Sequence, residues 1–313
     1  MSNKKALITG CGGFIGSHLA DFLLAKGFSV TGTVHKNTKN LDHIKNKISI
    51  VRCDVSKRSE VEQIVDDYDY VFHMAAQSFV IPSWNNPDHT YNTNIMGTYY
   101  LLDALQKKGF SPITLVACSS AEYGLTHENE LPIKETKEFR PSSPYAVSKV
   151  AQDMLSYLYY QTFGMKVLRL RFFNTVGPRK INNACADFAK GIAEIEHGLS
   201  AKLKVGNLKS IVDLTDIRDA LDAIWLLSQK GKYGETYNIC SGKAVAINDV
   251  LEKFISLSKE KIDIVQDNSR LRPFDDPIFL GDNSKLRELG WSPKVSLEKT
   301  LSDILDYWRK EMK

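Results

Sequence analysis

The sequence has almost no surplus of charge. Its 41 lysines and arginines stand against 37 aspartates and glutamates, for a formal net charge of +4, and the two signs are interspersed. That balance offers no basic stripe for a nucleic-acid backbone, and the pair Lys107-Lys108 reads as a helix end. Cysteine is scarce. Cys11, Cys53, Cys118, Cys185 and Cys240 are odd in number, far apart and without metal-type pair spacing. Neither a metal site nor a disulfide framework is expected, and free thiols in a reducing cytosol fit best. Long apolar runs are missing too: no window reaches the roughly 18 uninterrupted apolar residues of a membrane span. Met1-Ser2-Asn3-Lys4-Lys5 leads directly into a short apolar strand, without the pattern of a signal peptide. The expectation is a cytoplasmic protein with no membrane contact. There is no Pro/Gly/Ser-rich linker, internal repeat or low-complexity segment to divide the chain.

What is present is the composition of a globular protein, 313 residues with 43% hydrophobic and 25% charged. Strand-length apolar runs alternate with helical patterns: Ala6-Leu7-Ile8, Phe14 to Lys26, Phe28 to Val34, Ile48 to Val51, Val61 to Asp66, Tyr70-Val71-Phe72. The series continues with one long helix from about Thr90 to Lys107, a strand from Ile113 to Ala117, a helix from about Ser143 to Phe163, and a strand from Val167 to Leu170. This alternation predicts an α/β fold, a doubly wound parallel sheet of Rossmann type covered by helices on both faces. After Gly177-Pro178 the alternation fades, which predicts a smaller, partly discontinuous substrate lobe. Residues 1–174, with returning segments near 211–242, are expected to form the dinucleotide-binding domain, and 175–210 with 243–313 the substrate lobe. Leu297, Leu301, Ile304, Leu305 and Trp308 recur at helical spacing and mark a packed closing helix.

Directly after the first strand comes Gly10-Cys11-Gly12-Gly13-Phe14-Ile15-Gly16. In such a loop Gly10 permits a tight turn, Gly13 lets the backbone approach a pyrophosphate, and Gly16 allows close packing of helix on strand. The phosphate then lies on the helix N-terminus at Phe14 and Ile15. Enzymes that prefer NAD usually place an acid at the end of the second strand, but here that end reads Val34-His35-Lys36. His35 and Lys36 are suited to a 2′-phosphate, so NADP is expected, with NAD as the alternative. Asp54-Val55 after the third strand suits the adenine edge, and Ala75-Ala76 after the fourth suits the cofactor wall.

Tyr145 and Lys149 stand four residues apart, so on a helix they share one face. Hydride transfer at a carbonyl creates or consumes an alkoxide, and a tyrosine is a sluggish proton partner at neutral pH unless a nearby cation stabilises its phenolate. Lys149 would supply that charge. Pro144 marks the helix start. Upstream, the strand end Cys118-Ser119-Ser120 places Ser119 to hydrogen-bond a reacting sugar oxygen, with Ser120 read as a capping residue.

These residues, together with Leu7-Ile8-Thr9-Gly10, His73-Met74-Ala75-Ala76-Gln77-Ser78, Asn94-Ile95-Met96-Gly97-Thr98, Arg171-Phe172-Phe173-Asn174 and Leu271-Arg272-Pro273, resemble the extended short-chain dehydrogenase/reductase superfamily over nearly the whole chain. Within it the resemblance is to the GDP-4-keto-6-deoxy-D-mannose reductases and GDP-mannose 4,6-dehydratases. It implies Tyr145 as acid/base, Lys149 as its partner and Ser119 at the sugar oxygen. Asn174 would meet the nucleotide sugar, Arg272 the diphosphate and Asp275 the nucleotide ribose. Ser78, Ser120, Glu122 and Asn207 are further candidate substrate contacts. The implied reaction is NADPH-dependent reduction of a GDP-linked 4-keto-6-deoxy sugar, the alternative a dehydratase or epimerase with retained cofactor, and the implied assembly a homodimer. Two positions depart from the resemblance. Dehydratases carry a glutamate base where this chain has Ala121, and Glu122 is one place out of register. Relatives also carry an arginine where this chain has Val212, a contact of roughly 1.5 to 3 kcal/mol.

Overall fold

The computed structural model describes residues 4–270 and 278–312. Six strands come first, β1 (Lys5–Thr9), β2 (Ser29–Val34), β3 (Ser49–Arg52), β4 (Tyr70–His73), β5 (Ile113–Ser119) and β6 (Val167–Phe172). They are followed by β7 (Asn174–Val176), β8 (Leu203–Val205), β9 (Ile211–Asp216), β10 (Thr236–Ile239), β11 (Ala244–Ala246), β12 (Ile264–Gln266) and β13 (Ile278–Phe279). A seven-stranded sheet runs β10-β6-β5-β4-β1-β2-β3, and every pairing in it is parallel. The chain order reverses between β1 and β4, which opens the crevice where doubly wound folds bind ligands.

Burial on both faces explains why these strands read as continuous apolar runs. Side chains alternate across the sheet: Ala6, Ile8, Tyr70, Phe72, Leu115 and Ala117 join one core cluster, while Leu7, Val71, Val116 and Cys118 join the other. The first cluster is completed by the helices Phe14–Ala25 and Ile217–Lys230, the second by Arg58–Ile64 and Gly97–Lys107. A third cluster packs the helices Ala184–Glu196, Ile247–Ser256 and Leu297–Glu311 around β8. Leu301, Ile304 and Leu305 are fully buried there, as their helical spacing predicts, with Leu297 and Trp308 at the margin. Val212, in β9, packs against the same cluster, so its side chain is spent on packing.

The long helix expected from Thr90 to Lys107 is not uniform. A short helix Pro87–Tyr91 passes into a π-turn at Asn92–Met96 before α-geometry resumes at Gly97–Lys107. The π-turn admits one extra residue and turns Asn94 fully inward. Its amide donates to the Ser148 hydroxyl at 2.8 Å and to the Gln77 carbonyl at 3.0 Å, while its oxygen accepts from the Gln77 N–H at 2.8 Å. A polar side chain in mid-helix thus ties the loop after β4 to the helix Pro144–Phe163. Among the described residues, no helix is long and apolar enough to cross a membrane.

Candidate active site

The glycine loop fits the tight approach its spacing predicts. Gly10 has φ +67°, and a Cβ there would lie 2.7 Å from the Ala75 Cα. At Gly16 a Cβ would lie 2.4 Å from the Gly10 carbonyl oxygen. Gly13 is the extended N-cap of the helix Phe14–Ala25, and the loop before it lies against the Ala75 backbone. A dinucleotide needs this bare backbone cradle at a helix N-terminus, and the residues present fit one.

Around the loop, His35 and Lys36 are exposed just past β2. Arg52, exposed at the end of β3, pairs in register with Val34 and adds a third base beside them that the sequence reading passed over. Periodicity gives no register between two strands, so nothing in the sequence marks Arg52 as a neighbour of His35. Asp54 lies 3.8 Å from the His35 imidazole and accepts from the Ser56 N–H at 3.0 Å and the Ser56 hydroxyl at 2.7 Å. Burial opposes ionisation of Asp54, but those Ser56 bonds and His35 hold its carboxyl below the ordinary range. Val55 is buried, and its side chain stands where a Cβ on Gly97 would collide with it at 2.9 Å. Fully buried His73 links the hydroxyls of Thr9 at 2.8 Å and Thr98 at 3.0 Å; burial, with Lys149 nearby, lowers its pKa to about 3. It is a neutral structural imidazole under the crevice floor.

At the C-terminal end of β5, Ser119 meets the helix Pro144–Phe163. Ser143 caps that helix by accepting from the Ala146 N–H at 3.1 Å, Pro144 starts it, and the Tyr145 N–H donates to the Ser83 hydroxyl at 3.1 Å. Tyr145 is half-buried, and Ser119 is near enough to pull its pKa down. Lys149 is 3% exposed, and its ammonium lies 5.9 Å from the Tyr145 ring centroid. The Tyr145-Lys149 pair and Ser119 therefore converge as their pattern predicts.

The electrostatics differ from expectation. Burial pushes Tyr145 up to about 12, and Ser119 only partly opposes it. Lys149 donates to the Ala117 carbonyl and Gln152 Oε1, each at 2.7 Å, while its ammonium stays 5.9 Å from the Tyr145 ring centroid. Burial in turn lowers Lys149 to about 8. Tyr145 is thus a protonated acid at neutral pH rather than a phenolate.

The expectations at Ser120 and Glu122 need correction. Ser119, not Ser120, caps the short turn Ser120–Tyr123, accepting from the Ala121 N–H at 3.2 Å. Glu122 has no exposed surface: Oε1 accepts from the Ser119 N–H at 2.7 Å and Oε2 lies 3.1 Å from Arg171 Nε. It points into the protein beneath the site and cannot serve as a substrate contact. Ser120 is itself 7% exposed. Ser78 and Asn174 are exposed near the crevice, at the loop after β4 and the start of β7. Asn207 is occupied in a local turn, donating to the Ser210 hydroxyl at 3.0 Å and accepting from the Lys209 N–H at 3.0 Å. Arg272 and Asp275 lie outside the described residues.

A sequence model of the family described as GDP-mannose 4,6 dehydratase matches residues 7–304. The GDP-6-deoxy-D-mannose reductase of Pseudomonas aeruginosa is 31% identical over an alignment of 316 positions that covers 99% of each chain. Among solved structures, RMD from Pseudomonas aeruginosa complexed with NADPH superposes with a TM-score of 0.86 at 30% identity, covering 99% of this chain and 100% of that one. The UDP-glucose 4-epimerase of Thermotoga maritima with UDP-glucose superposes with a TM-score of 0.88 at 26% identity, covering 99% and 100%.

Proposed function

Because the chain belongs to the GDP-mannose 4,6 dehydratase family of extended short-chain dehydrogenases, we propose that it reduces the 4-keto group of a GDP-linked 4-keto-6-deoxy sugar with NADPH. The observation that carries this reading is the convergence of Ser119, a protonated Tyr145 and Lys149 where the sheet opens, with Ala121 in place of a base and Glu122 turned inward.

NADPH, when bound, supplies the hydride to C4. Tyr145 gives its phenolic proton to O4 as charge develops there, and the Ser119 hydroxyl orients and hydrogen-bonds the same oxygen. Lys149, close behind, favours the phenolate that proton transfer leaves. The glycine loop with Phe14 and Ile15 would hold the pyrophosphate, His35, Lys36 and Arg52 the 2′-phosphate, Asp54 and Val55 the adenine, and Ala75 and Ala76 the nicotinamide side. Residues 1–174, with the segments near 211–242, form the dinucleotide domain in this reading. Residues 175–210 and 243–313 close over the sugar nucleotide, with Ser78 and Asn174 at its edge and Arg272 and Asp275 as contacts for the diphosphate and ribose.

The assembly we propose is a cytoplasmic homodimer. On the helix Pro144–Phe163, Val147 (42% exposed), Met154 (41%), Tyr157 (42%) and Leu158 (50%) form an apolar stripe on the outside of the fold. Such a face is suited to burial against a second copy.

The test is stoichiometric. Purified protein given NADPH and GDP-4-keto-6-deoxymannose is expected to consume NADPH with net loss of absorbance. Tyr145→Phe is expected to lower kcat by roughly 10²- to 10⁴-fold while leaving NADPH affinity within a few-fold. A cofactor retained through purification, with no net consumption, would instead favour the second reading, a nucleotide-sugar 4,6-dehydratase or epimerase. That alternative is favoured by the equally close superposition on the UDP-glucose 4-epimerase.

A further inference from the structure

A compact set of buried charges lies beneath Ser119, and its first member is Glu122. Its side chain forms a reciprocal capping arrangement with the active-site serine: the carboxylate accepts the Ser119 N–H at 2.7 Å, while the Ser119 oxygen accepts the Ala121 N–H at 3.2 Å. Behind it, Arg171 on β6 reaches Glu122 Oε2 at 3.1 Å and Asp153 Oδ2 at 3.0 Å. The pairing with Glu122 lacks hydrogen-bond geometry, and Oε2 has no hydrogen-bond partner. Asp153 is held on its other oxygen by Arg169, and Arg171 also donates to the Tyr123 hydroxyl at 2.9 Å and the Glu135 carbonyl at 3.0 Å. Tyr123 in turn donates to Asn238 Oδ1 at 2.6 Å, so the network runs from β10 to the active-site edge of β5.

We propose that Glu122 is a positioning residue for the proposed proton transfer: it fixes the Ser119 backbone from below and places a carboxylate under the Tyr145 and Lys149 pair. The inference rests on the reading that Ser119 and Tyr145 handle the sugar oxygen. A glutamate in a strictly interior place, next to the serine but turned from the crevice, has no use as a substrate base. It does have the geometry to hold the serine.

The groups facing Glu122 come from every element packed on it: Cys118 on β5, Tyr145, Lys149 and Asp153 on the helix Pro144–Phe163, and Arg171 on β6. Burial and Asp153 raise its carboxyl above the ordinary range, against Arg171, the Ser119 N–H and Lys149. When ionised, it works upward on both Tyr145 and Lys149, which keeps each of them protonated to higher pH. Cys118, Glu122 and Asp153 present ligand atoms within 4.8 Å of one another, yet Arg171 and Arg169 already answer the carboxylates, so the cluster is read as an ion-pair network.

Two variants and one cycle test this. Glu122→Met keeps the volume but removes the acceptor, and is expected to lower kcat about 10- to 100-fold with KM and NADPH affinity within about threefold, as small misplacements of a reacting group do. Glu122→Gln restores an acceptor for Ser119 N–H and is expected to recover kcat to within about threefold of wild type. In a Ser119→Ala background Glu122→Met should cost little more, because the group it positions is gone. The same loss in both backgrounds, or no rescue by glutamine, overturns the proposal. The turnover compared is whichever the wild type shows, reduction or epimerisation. If it shows neither, or Glu122→Met does not fold, the Lys149 ammonium titrated by NMR in Glu122→Gln still decides: a midpoint below that of wild type is expected, and an unchanged midpoint overturns the proposal. Absent turnover with a displaced Lys149 midpoint defeats the functional reading alone.

Discussion

The ammonium of Lys149 donates to the carbonyl oxygen of Ala117 at 2.7 Å, pinning the helix Pro144–Phe163 to β5 two residues before Ser119. The charge that does this is almost entirely out of water, at 3% exposure, and burial lowers its pKa from an ordinary 10.5 to about 8. A lysine whose folded pKa is depressed binds fewer protons than the unfolded chain between those two values. Its burial penalty, about 3 kcal/mol, is therefore fully present below pH 8 and fades as pH rises toward 10.5. Lys149→Met removes the penalty at every pH. Urea unfolding should show the stability of the variant relative to wild type falling by about 2 to 3 kcal/mol between pH 7 and 10. A difference independent of pH would mean that Lys149 is not carried as a buried charge. Turnover should be lost in the same variant.

Cofactor choice tests the end of β2. Lys36→Ala combined with Arg52→Ala is expected to raise KM for NADPH about tenfold or more, since each base can offer the 2′-phosphate a charge-assisted hydrogen bond. KM for NADH should barely move. An equal rise for both cofactors would place these bases elsewhere on the dinucleotide.

Charge placed on the apolar stripe of the long helix tests assembly. Met154→Glu with Leu158→Glu is expected to convert a dimer into a monomer in light scattering without loss of helical circular dichroism, because like charges without a partner would have to be desolvated at the interface. A wild-type chain that is already monomeric would remove the proposed dimer.

Parts of this site are legible in the sequence because chemistry or backbone geometry demands one residue type at one spacing. Gly10, Gly13 and Gly16 follow from a turn with positive φ and two close backbone approaches. Tyr145 and Lys149 follow from the helical period, and six of the seven parallel strands follow from apolar runs, the exception being β10. Glu122 is legible only as a carboxylate one place out of register for a dehydratase base, and so as a candidate substrate contact. Its inward direction is set by the turn Ser120–Tyr123, where strand alternation no longer applies. Arg52 escapes because inter-strand register is not written in either strand alone. The raised pKa of Tyr145, where Lys149 is expected to lower it, escapes for a different reason: spacing shows that a lysine is near, but not that the Ala117 carbonyl and Gln152 hold it.

The π-turn at Asn92–Met96 sets how this stretch of chain can tolerate change in length. Excising a single residue there would let ordinary α-geometry run through and keep the helix, so an in-frame one-codon deletion would be structurally permitted where most deletions in a helix are not. Residues on either side of the cut would stay nearly in phase about the helix axis, because the widened turn is what absorbs the extra residue. Asn94 would swing out from between Gln77 and Ser148, and the loop bearing Ala75 and Ala76 would lose its tether. The extra residue is in effect a one-codon spacer, and its removal would leave the fold in place but detach the cofactor-side loop from the helix that carries Tyr145.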